Sequence, residues 1–388
     1  MTTVLLSAGD ASGDPYAADL VTALRARRPD LRFLALAGDE TRAAGADLVV
    51  HQREIAVGGL FELAGSASRI IASWRALSRT ISRERPALAI LIDTADFNIP
   101  LARKLSRAGV PVLYYVLPQV WAWRRGRIRK LARRSDGRAV IFPFEVAEYA
   151  REGVDVEFVG HPLVERVRNF GAIEAGEVLR DEIALPKGAP LLALLPGSRR
   201  NEIAYQLPLQ LSVARALAKR FPKLRCVLPL APSLEEVAVR ESLEEAAGEL
   251  PPVTLLRGRA WDALSAADVA IAKPGTVTLE AALLGCPLVV AGRGHALTAA
   301  ILRRLVEVPA WAMPNLIAGE PFIPEFLQEE ARPDAIAAAL AALLVDGERR
   351  AGQLAGLAQV REQLGEGTPT ARVCEMAEAL LGAARTQS

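Results

Sequence analysis

The sequence is poor in the residues that build metal centres and disulfide scaffolds. Its 388 residues include three cysteines and three histidines. The cysteines, Cys226, Cys286 and Cys374, are odd in number and lack paired spacing, so we expect neither a disulfide framework nor a zinc site. A hydrolase or a metalloenzyme would have to be built on very few candidate residues, and we expect no metal and no cofactor.

Long hydrophobic runs are also missing. The first apolar run, Val4-Leu5-Leu6, is short and follows no basic segment, and later runs such as Leu288 to Ala291 are far shorter than the ~20 residues that cross a bilayer. We therefore expect no signal peptide and no membrane span, which predicts a cytoplasmic protein. Hydrophobic residues at 51% and charged residues at 24% are typical of folded globular proteins.

Short β-rich runs alternate with helical stretches along the whole chain, which predicts βαβ units and parallel sheets. In the first half the expected strands are Thr3 to Ser7, Arg32 to Ala37, Ala87 to Ile92, Val112 to Val116, Ala139 to Phe142 and Glu157 to Val159. In the second half they are Leu191 to Leu195, Arg225 to Pro229, Val253 to Leu256, Val269 to Ile271 and Leu288 to Val290. The pattern pauses near His161, so the chain is predicted to be α/β with two doubly wound, Rossmann-like domains.

Ligands of open parallel sheets collect outside the carboxyl ends of the strands, so the loops there hold the candidate residues. The loop after the first strand contains Gly9, Ser12 and Gly13 at the start of a helix. It fits either a phosphate contact or a tight turn, and its two aspartates, Asp10 and Asp14, disfavour an anion.

A second loop, after the strand that ends at Ile92, contains Asp93, Asp96 and Asn98. A carboxylate at the end of a strand is well placed to act as a general base. The alternative is that one of the two aspartates only caps the next helix.

Two loops of the second half suit phosphate and sugar groups. Gly197, Ser198 and Arg199 follow a strand and begin a helix, where amides, a helix dipole and a guanidinium group match a diphosphate better than a solvated turn does. In the other loop, Lys273, Gly275 and Thr276 suit a phosphate, and Glu280 suits ribose hydroxyls; the alternative is a capped helix. Asn315, in a loop rich in turn residues, offers an amide to a sugar hydroxyl.

Two further segments favour an amphipathic boundary. Trp121 and Trp123 run directly into a basic stretch, Arg124 to Arg138, which fits a lipid headgroup region, a phosphorylated substrate, a nucleic acid or an ordinary solvated helix. Leu60, Phe61, Leu63 and Trp74 belong to a stretch that either dips into a membrane surface or packs on its own sheet.

Taken in order, these loops resemble the pattern of lipid-A-disaccharide synthase along nearly the whole chain. The matching segments are Ala8 to Asp14, Ile92 to Asn98, Trp121 to Trp123, Phe158 to Leu163 with His161, Leu195 to Arg199, Gly275-Thr276 with Leu279-Glu280, and Pro314 to Gly319. The resemblance implies a GT-B glycosyltransferase whose two domains face a central cleft. Residues 1–165, completed by a C-terminal helix at about 355–388, would form the acceptor and membrane-facing domain, and residues 166–354 the UDP-sugar domain.

The family transfers 2,3-diacylglucosamine from UDP-2,3-diacylglucosamine to 2,3-diacylglucosamine 1-phosphate with inversion, which gives a β(1→6) disaccharide and UDP in lipid A biosynthesis. The resemblance implies that Asp93, Arg199 and Asn315 are important for activity, with Asp93 as the base and Arg199 on the departing UDP. It further implies peripheral attachment to the inner face of the inner membrane, and it allows a homodimer. The sequence departs from the family pattern at Asp10, at Pro15 to Ala17 and at Lys273.

Three alternatives fit parts of this pattern. The departures at Asp10, at Pro15 to Ala17 and at Lys273 leave open a divergent GT-B enzyme that acts on a related acyl sugar. A UDP-N-acetylglucosamine 2-epimerase would use a similar UDP pocket but needs further acid and base residues, for which three histidines are few. A non-catalytic RNA- or membrane-binding module would account for the basic segment. The carboxylates Asp93 and Asp96 argue against nucleic acid, so none is expected as a partner.

Overall fold

The computed structural model describes residues 1–55, 63–118, 125–232, 234–246, 248, 250–294, 309–365 and 367–386. The chain divides into two compact units. Unit 1 comprises Met1–Glu165 and Glu366–Ser388, and unit 2 comprises Arg166–Gly365. Each unit is built on one parallel sheet, which confirms the predicted α/β class with two Rossmann-like domains.

Unit 1 contains a seven-stranded sheet flanked by helices. Its strands are β1 (Thr2–Ala8), β2 (Leu31–Ala37), β3 (Asp47–His51), β4 (Leu88–Ile92), β5 (Val112–Tyr115), β6 (Gly137–Val140) and β7 (Glu157–Phe158). Its helices up to the unit boundary are α1 (Asp14–Arg27), α2 (Asp39–Ala43), α3 (Leu63–Glu84), α4 (Ala95–Arg107), α5 (Ile128–Ala132), α6 (Pro143–Ala150) and α7 (Pro162–Arg168), the last of which crosses into unit 2.

Unit 2 contains a six-stranded sheet. Its strands are β8 (Leu191–Leu195), β9 (Arg225–Leu230), β10 (Val253–Arg257), β11 (Val269–Ala272), β12 (Leu288–Gly292) and β13 (Glu325–Leu327). The helices are α8 (Ala172–Glu182), α9 (Arg200–Arg220), α10 (Glu236–Glu245), α11 (Ala260–Ala266), α12 (Thr276–Leu284), α13 (Met313–Ala318), α14 (Pro333–Val345) and α15 (Gly347–Gln363); α16 (Pro369–Thr386) returns to unit 1.

The central strands are buried on both faces because helices cover both sides of a parallel sheet. Every residue of β4 and of β8 is buried, and the two strands read as continuous apolar runs rather than as an alternation. This is why the sequence pattern located them well. The edge strands β3 and β13 are only partly buried and carry charged residues, and their short apolar runs were not predicted as strands.

Strand order fixes where a ligand can bind. The sheet of unit 1 runs β3-β2-β1-β4-β5-β6-β7, and that of unit 2 runs β10-β9-β8-β11-β12-β13. The order reverses between β1 and β4 in the first sheet and between β8 and β11 in the second. A crevice at the carboxyl ends of the strands forms at such a switch point, so the loops after these four strands are the places to look for chemistry.

The chain returns to unit 1 later than predicted, at Glu366 rather than at about residue 355. Residues 355–388 are two helices rather than one. The reason is packing: Leu357 and Val360 of α15 are buried, and the buried Gln353 bonds both the amide and the carbonyl of Leu288 in β12. The helix α15 therefore belongs to unit 2, and α16 packs against α1 in unit 1.

None of the helices within the described ranges combines the length and the apolarity that a membrane span requires.

Candidate active site

The two loops at the switch point of unit 1 touch each other through Gly9. A Cβ atom on Gly9 would lie 2.6 Å from Thr94 Cγ2 and 2.7 Å from Ile55 Cδ1, closer than such atoms approach in proteins. The glycine after β1 therefore permits contact with the loop after β4. Its predicted contact with a phosphate stays a prediction.

The loop after β4 is held in an unusual conformation. Asp93 and Thr94 have φ angles of 43° and 45°, in the left-handed region that non-glycine residues rarely adopt. The buried Asn98 side chain fixes this turn, since its Nδ2 donates to the carbonyls of Ile92 and Asp93, both at 3.0 Å. The Ser7 hydroxyl of β1 donates to Asn98 Oδ1 at 2.6 Å, so the turn is tied to the neighbouring strand.

A second side chain supports the same turn from β5. The Tyr114 hydroxyl donates to the Asp93 carbonyl at 2.7 Å, and the ring is fully buried. The Asp93 amide in turn donates to the Val116 carbonyl at 3.1 Å. The backbone of Asp93 is thus fixed by Asn98 of α4, by Tyr114 of β5 and by the residue that follows β5. Asn98, predicted as a candidate site residue, acts inside the protein as a support for that turn.

The Asp93 carboxyl has an altered acidity. Burial and the negative charge of Asp10 raise the pKa of Asp93 to about 7, against the opposing effect of the Thr94 amide. A carboxyl group with a pKa near neutrality is suited to take up and release a proton at physiological pH. The half-buried Asp93 at the strand end therefore combines the position and the acidity that a general base needs.

The rest of the first loop uses its aspartates internally. Asp10 Oδ1 accepts a hydrogen bond from the Gly13 amide at 2.7 Å, while Ser12 is exposed. Asp14 is buried, and its carboxylate accepts bonds of 2.8 to 3.2 Å from the amides of Gly38, Glu40 and Thr41 at the start of α2. The loop therefore presents a carboxylate where a phosphate site would present free amides.

Two other predicted residues of unit 1 have clear partners. Asp96 is exposed, and its Oδ1 pairs with Arg127 Nη1 at 2.7 Å. His161 is buried against Phe142, and its Nδ1 accepts from the Leu163 amide at 3.1 Å. Burial lowers the pKa of His161 to about 3, so the imidazole is neutral near pH 7 and begins α7 as a hydrogen-bond acceptor.

The predicted boundary segments are described only in part. Leu60, Phe61, Trp121 and Trp123 lie outside the described residues, and of Leu63 only the helical backbone is described. Trp74 is partly buried, with its ring edge-on to Phe97 at 5.7 Å. Its packing on α4 accounts for at least part of its apolar surface.

Several cations in the described part of the basic stretch have partners within the protein. Arg138 donates to the carbonyls of Ser135 and Asp155, Arg134 to that of Ile99, and Arg129 pairs with Glu152. Lys130 and Arg133 are exposed. Arg129, Arg134 and Arg138 are therefore less free to bind an external anion than the sequence indicated.

In unit 2, the loop after β8 holds a carboxylate where the sequence predicts a diphosphate. Glu202 Oε2 accepts from the amides of Ser198 and Arg199 at 2.9 and 3.3 Å. A Cβ atom on Gly197 (φ 128°) would lie 2.3 Å from the same carboxylate oxygen, so the glycine permits this approach. The spacing is that of a capping box, in which the third helical residue accepts from the residue that begins the helix.

Lys273 joins this loop to the loop after β11. Its Nζ lies 2.8 Å from Glu202 Oε1. Burial alone would raise the pKa of Glu202, but the hydrogen bond and the charge of Lys273 hold it below its ordinary value. The carboxylate is therefore ionised at neutral pH, and the exposed Arg199 is 3.9 Å from it.

The remaining predicted donor residues line the start of α12. Gly275 precedes the helix with φ 143°, a value that favours glycine, and Thr276 is exposed at the first helical position. Glu280 is tied to α11, because its carboxyl accepts a hydrogen bond from the Trp261 side chain. Burial nevertheless raises its pKa, and its contact with a ribose stays a prediction.

A cavity of about 250 Å³ opens beside these loops. It is lined by Glu202, Gln206, Lys273, Pro274, Gly292, Arg293, Gly294, Trp311, Leu327 and Gln328. It combines cations with an indole and apolar groups. Such a lining suits a flat, polar ring joined to a phosphate. The sequence pattern indicated Lys273 but not Gln206, Arg293 or Trp311, because these three come from separate segments and carry no local motif.

Asn315 does not line this cavity but supports a residue that does. The side chain is buried, with Nδ2 donating to the Ile323 carbonyl at 2.9 Å and to Glu325 Oε1 at 2.8 Å, and Oδ1 accepting from the Ile323 amide at 2.9 Å. The other oxygen of Glu325 accepts from the Trp311 amide at 2.9 Å. Asn315 thus fixes Trp311 through Glu325.

Within the described ranges, no group of three or more histidine, cysteine, aspartate or glutamate residues is arranged to hold a metal ion.

Solved structures share the fold of the whole chain. The UDP-GlcNAc 2-epimerase from Neisseria meningitidis bound to UDP-GlcNAc superimposes with a TM-score of 0.67 at 13% identity, covering 97% of this chain and 99% of its own. MurG from Acinetobacter baumannii superimposes with a TM-score of 0.59 at 14% identity, covering 98% and 100%. At such identities the likeness shows the fold, which is that of the GT-B glycosyltransferases.

Sequence relatives are much closer. The lipid-A-disaccharide synthetase family matches residues 4–380. The lipid-A-disaccharide synthases of Syntrophus aciditrophicus and Geobacter sulfurreducens are 40% and 41% identical over 378 and 380 residues, and the alignments cover 97% and 98% of this chain and 97% of each relative. The chain therefore belongs to the lipid-A-disaccharide synthase family.

Proposed function

We propose that this glycosyltransferase moves 2,3-diacylglucosamine from UDP-2,3-diacylglucosamine to the 6-hydroxyl of 2,3-diacylglucosamine 1-phosphate, with inversion. The observation that carries the proposal is the Asp93 carboxyl, fixed at the switch point of unit 1 with a pKa of about 7. A hydroxyl nucleophile needs a base of that kind, whereas the departing UDP needs cations and no acid. Unit 2 supplies such cations in Arg199 and Lys273.

The reaction is a single displacement. Asp93 takes the proton of the acceptor hydroxyl as its oxygen forms a bond to the anomeric carbon of the donor. The bond from that carbon to the diphosphate oxygen breaks, and its electron pair leaves with UDP. Arg199, Lys273 and the amides that begin α12 stabilise the charge that develops on the diphosphate.

The cavity beside Trp311 is the proposed site of the uracil ring. The half-buried indole offers a flat apolar face, and the Asn315 and Glu325 side chains hold its backbone in place. We assign Asn315 a positioning role on this basis, since its amide is already bonded within the protein. The diphosphate would then lie toward Lys273, where it competes with Glu202 for the lysine.

Glu202→Gln should tighten UDP binding, by roughly two- to fivefold, because it removes a negative charge from the proposed diphosphate site. A glutamine can still accept the bonds from the Ser198 and Arg199 amides, so the start of α9 is preserved. Calorimetric titration with UDP measures the change. Glu235→Gln is the matched control, because Glu235 is exposed and pairs with Arg200 outside the cavity. Weaker binding by the Glu202 variant would mean that the carboxylate itself holds the donor.

Peripheral binding to the inner face of the inner membrane belongs to the same proposal, since both substrates carry acyl chains. On α3, Ile71 is 49% exposed, and the exposed Lys130 and Arg133 lie in the same unit. An exposed apolar side chain and exposed cations in one unit suit an anionic lipid surface.

The direct test supplies both lipid substrates to the purified chain. We expect disaccharide 1-phosphate and UDP in equal amounts, followed by mass spectrometry and by a UDP assay. The epimerase alternative predicts turnover of UDP-GlcNAc without any acceptor, which a transferase should not show. Absence of disaccharide from the wild-type chain in detergent and in lipid vesicles would overturn the proposal.

A further inference from the structure

Unit 2 has a second, larger cavity at the edge of its sheet opposite the donor loops. It measures about 730 Å³ and lies where strands begin: Pro190 precedes β8, Lys223 precedes β9 and Asp268 precedes β11. The donor loops follow the carboxyl ends of the same strands. The cavity is therefore separate from the site assigned to UDP, and its volume is within the range of ligand pockets.

The lining of this cavity is strongly basic. Four cations, Arg180, Arg220, Lys223 and Arg350, face a single carboxylate, Asp268. That carboxylate is fully occupied: Oδ1 pairs with Arg180 at 2.8 Å and Oδ2 accepts from the Leu191 amide at 2.8 Å. No salt bridge among the described residues involves the other three cations. The cavity therefore carries an excess of three positive charges.

Two of the cations are held in place by the fold. Arg350 Nη1 donates to the Asp268 carbonyl at 2.7 Å, and Arg180 Nε donates to the Ala266 carbonyl at 2.7 Å. These bonds orient the guanidinium groups without neutralising the charge of Arg350. Arg220 lies over the Phe221 ring, with its guanidinium carbon 5.8 Å from the centroid, and Lys223 is exposed at the rim.

The ends of helices account for only part of this charge. Arg220 ends α9, and Leu344 lies in the last turn of α14, so partial negative charges of the helix carboxyl termini face the cavity. Each such terminus is equivalent to roughly half an elementary charge and is also partly screened by water. Two termini therefore offset about one of the three excess charges, and the cavity remains cationic.

We propose that this cavity binds a phosphate group carrying at least two negative charges. The guanidinium groups that the fold holds in place match phosphate oxygens. Phe221 and Leu344 give the cavity an apolar side for the rest of the ligand. Such a group occurs in soluble phosphate esters and diphosphates and also in anionic lipid headgroups. The proposal does not depend on the reaction assigned to the donor site.

Inorganic pyrophosphate is the probe. Titration calorimetry on the full chain, with equimolar UDP added to fill the donor site, should show one further site whose affinity for pyrophosphate falls as salt is added. Arg220→Gln with Lys223→Gln should weaken it by roughly tenfold or more. Lys223→Gln alone should weaken pyrophosphate binding less than the double substitution does. Lys219→Gln should leave the affinity unchanged, because Lys219 is an exposed lysine that does not line the cavity.

Vesicles distinguish the two sources of the phosphate group. The ligand is a headgroup if vesicles of phosphatidylcholine with phosphatidic acid bind the wild-type chain but not the double variant, and if pyrophosphate releases the wild-type chain from the vesicles. If retention is the same for both proteins while pyrophosphate still binds the cavity, the ligand is soluble. Failure of pyrophosphate to bind the wild type in the presence of equimolar UDP, or equal affinity for the wild type and a folded double variant, would overturn the proposal.

Discussion

Asp93→Asn is expected to lower kcat by roughly 10²- to 10⁴-fold, the usual contribution of a general base. The substitution is nearly isosteric, and the bonds that fix this turn go to the Asp93 backbone rather than to its carboxyl, so the geometry should be kept. Affinity for UDP should be unchanged, because the proposed donor residues belong to unit 2. Steady-state rates and UDP titrations on the same preparation measure the two effects.

The pH profile of the wild type provides the internal control. The base acts in its ionised form, so kcat/KM should fall as the pH is lowered through about 7, the pKa of Asp93. Asp10→Asn removes a neighbouring negative charge and should move this fall to lower pH. A flat profile between pH 5 and 8 (roughly the range over which such a carboxyl titrates) would exclude Asp93 as the base.

Stability separates loss of chemistry from loss of fold. Asp93 holds its proton more tightly in the folded chain, with a pKa of about 7, than in the unfolded chain, where about 3.9 is usual. The ionised carboxyl is therefore less favourable in the folded chain than in the unfolded chain, and at pH 8 it opposes folding. The Asn variant lacks this charge and should be at least as stable as the wild type at pH 8. Asp155→Asn, at an exposed site of the same unit, should change neither rate nor stability. An Asp93→Asn chain that unfolds at lower temperature would show that the carboxyl is structural.

Asn315→Asp is expected to abolish measurable UDP binding and to destabilise unit 2 by about 3 kcal/mol or more. The new carboxylate cannot donate to the Ile323 carbonyl, and it faces Glu325, whose Oε1 now accepts from Asn315 Nδ2 at 2.8 Å. Repulsion between the two carboxylates would release the Trp311 amide from Glu325 and open the proposed uracil site. Thermal unfolding and UDP titration report the two effects.

The matched control is Asn169→Asp, which places the same change at an exposed position of unit 2 and should leave both measurements unaltered. Because the added charge is removed by protonation, the Asn315 variant should regain stability as the pH is lowered toward about 4. Normal UDP affinity in a stable Asn315→Asp chain would contradict the positioning role and would leave Trp311 without its proposed support.

Most strands and the loops that follow them could be predicted from the sequence, for a physical reason. Strands buried on both faces need continuous apolar runs, and the loops after β1, β4, β8 and β11 are then placed by topology alone. Contacts that join distant segments could not be predicted in this way. Nothing near Trp311 in the chain predicts that Glu325 and Asn315 fix its backbone, and nothing near Lys273 predicts Glu202.

Glu202 shows that a second partner for the amides of this loop could have been found in the sequence. The loop after β8 was predicted to bind a diphosphate, which stays a prediction, and the sequence contains its own carboxylate three residues after Arg199. A capping spacing of this kind can be read from the sequence, and it should be weighed whenever free amides at the start of a helix are assigned to a ligand.

The hydrogen bond between Ser7 and Asn98 has a further consequence for how this protein loses activity. Since it joins β1 to the turn that carries Asp93, the proposed base cannot loosen while the central strands remain paired. Warming or mild denaturant should then leave the rate intact until the sheet of unit 1 melts, and the amide of Asp93 should exchange with solvent only as slowly as the strand core itself.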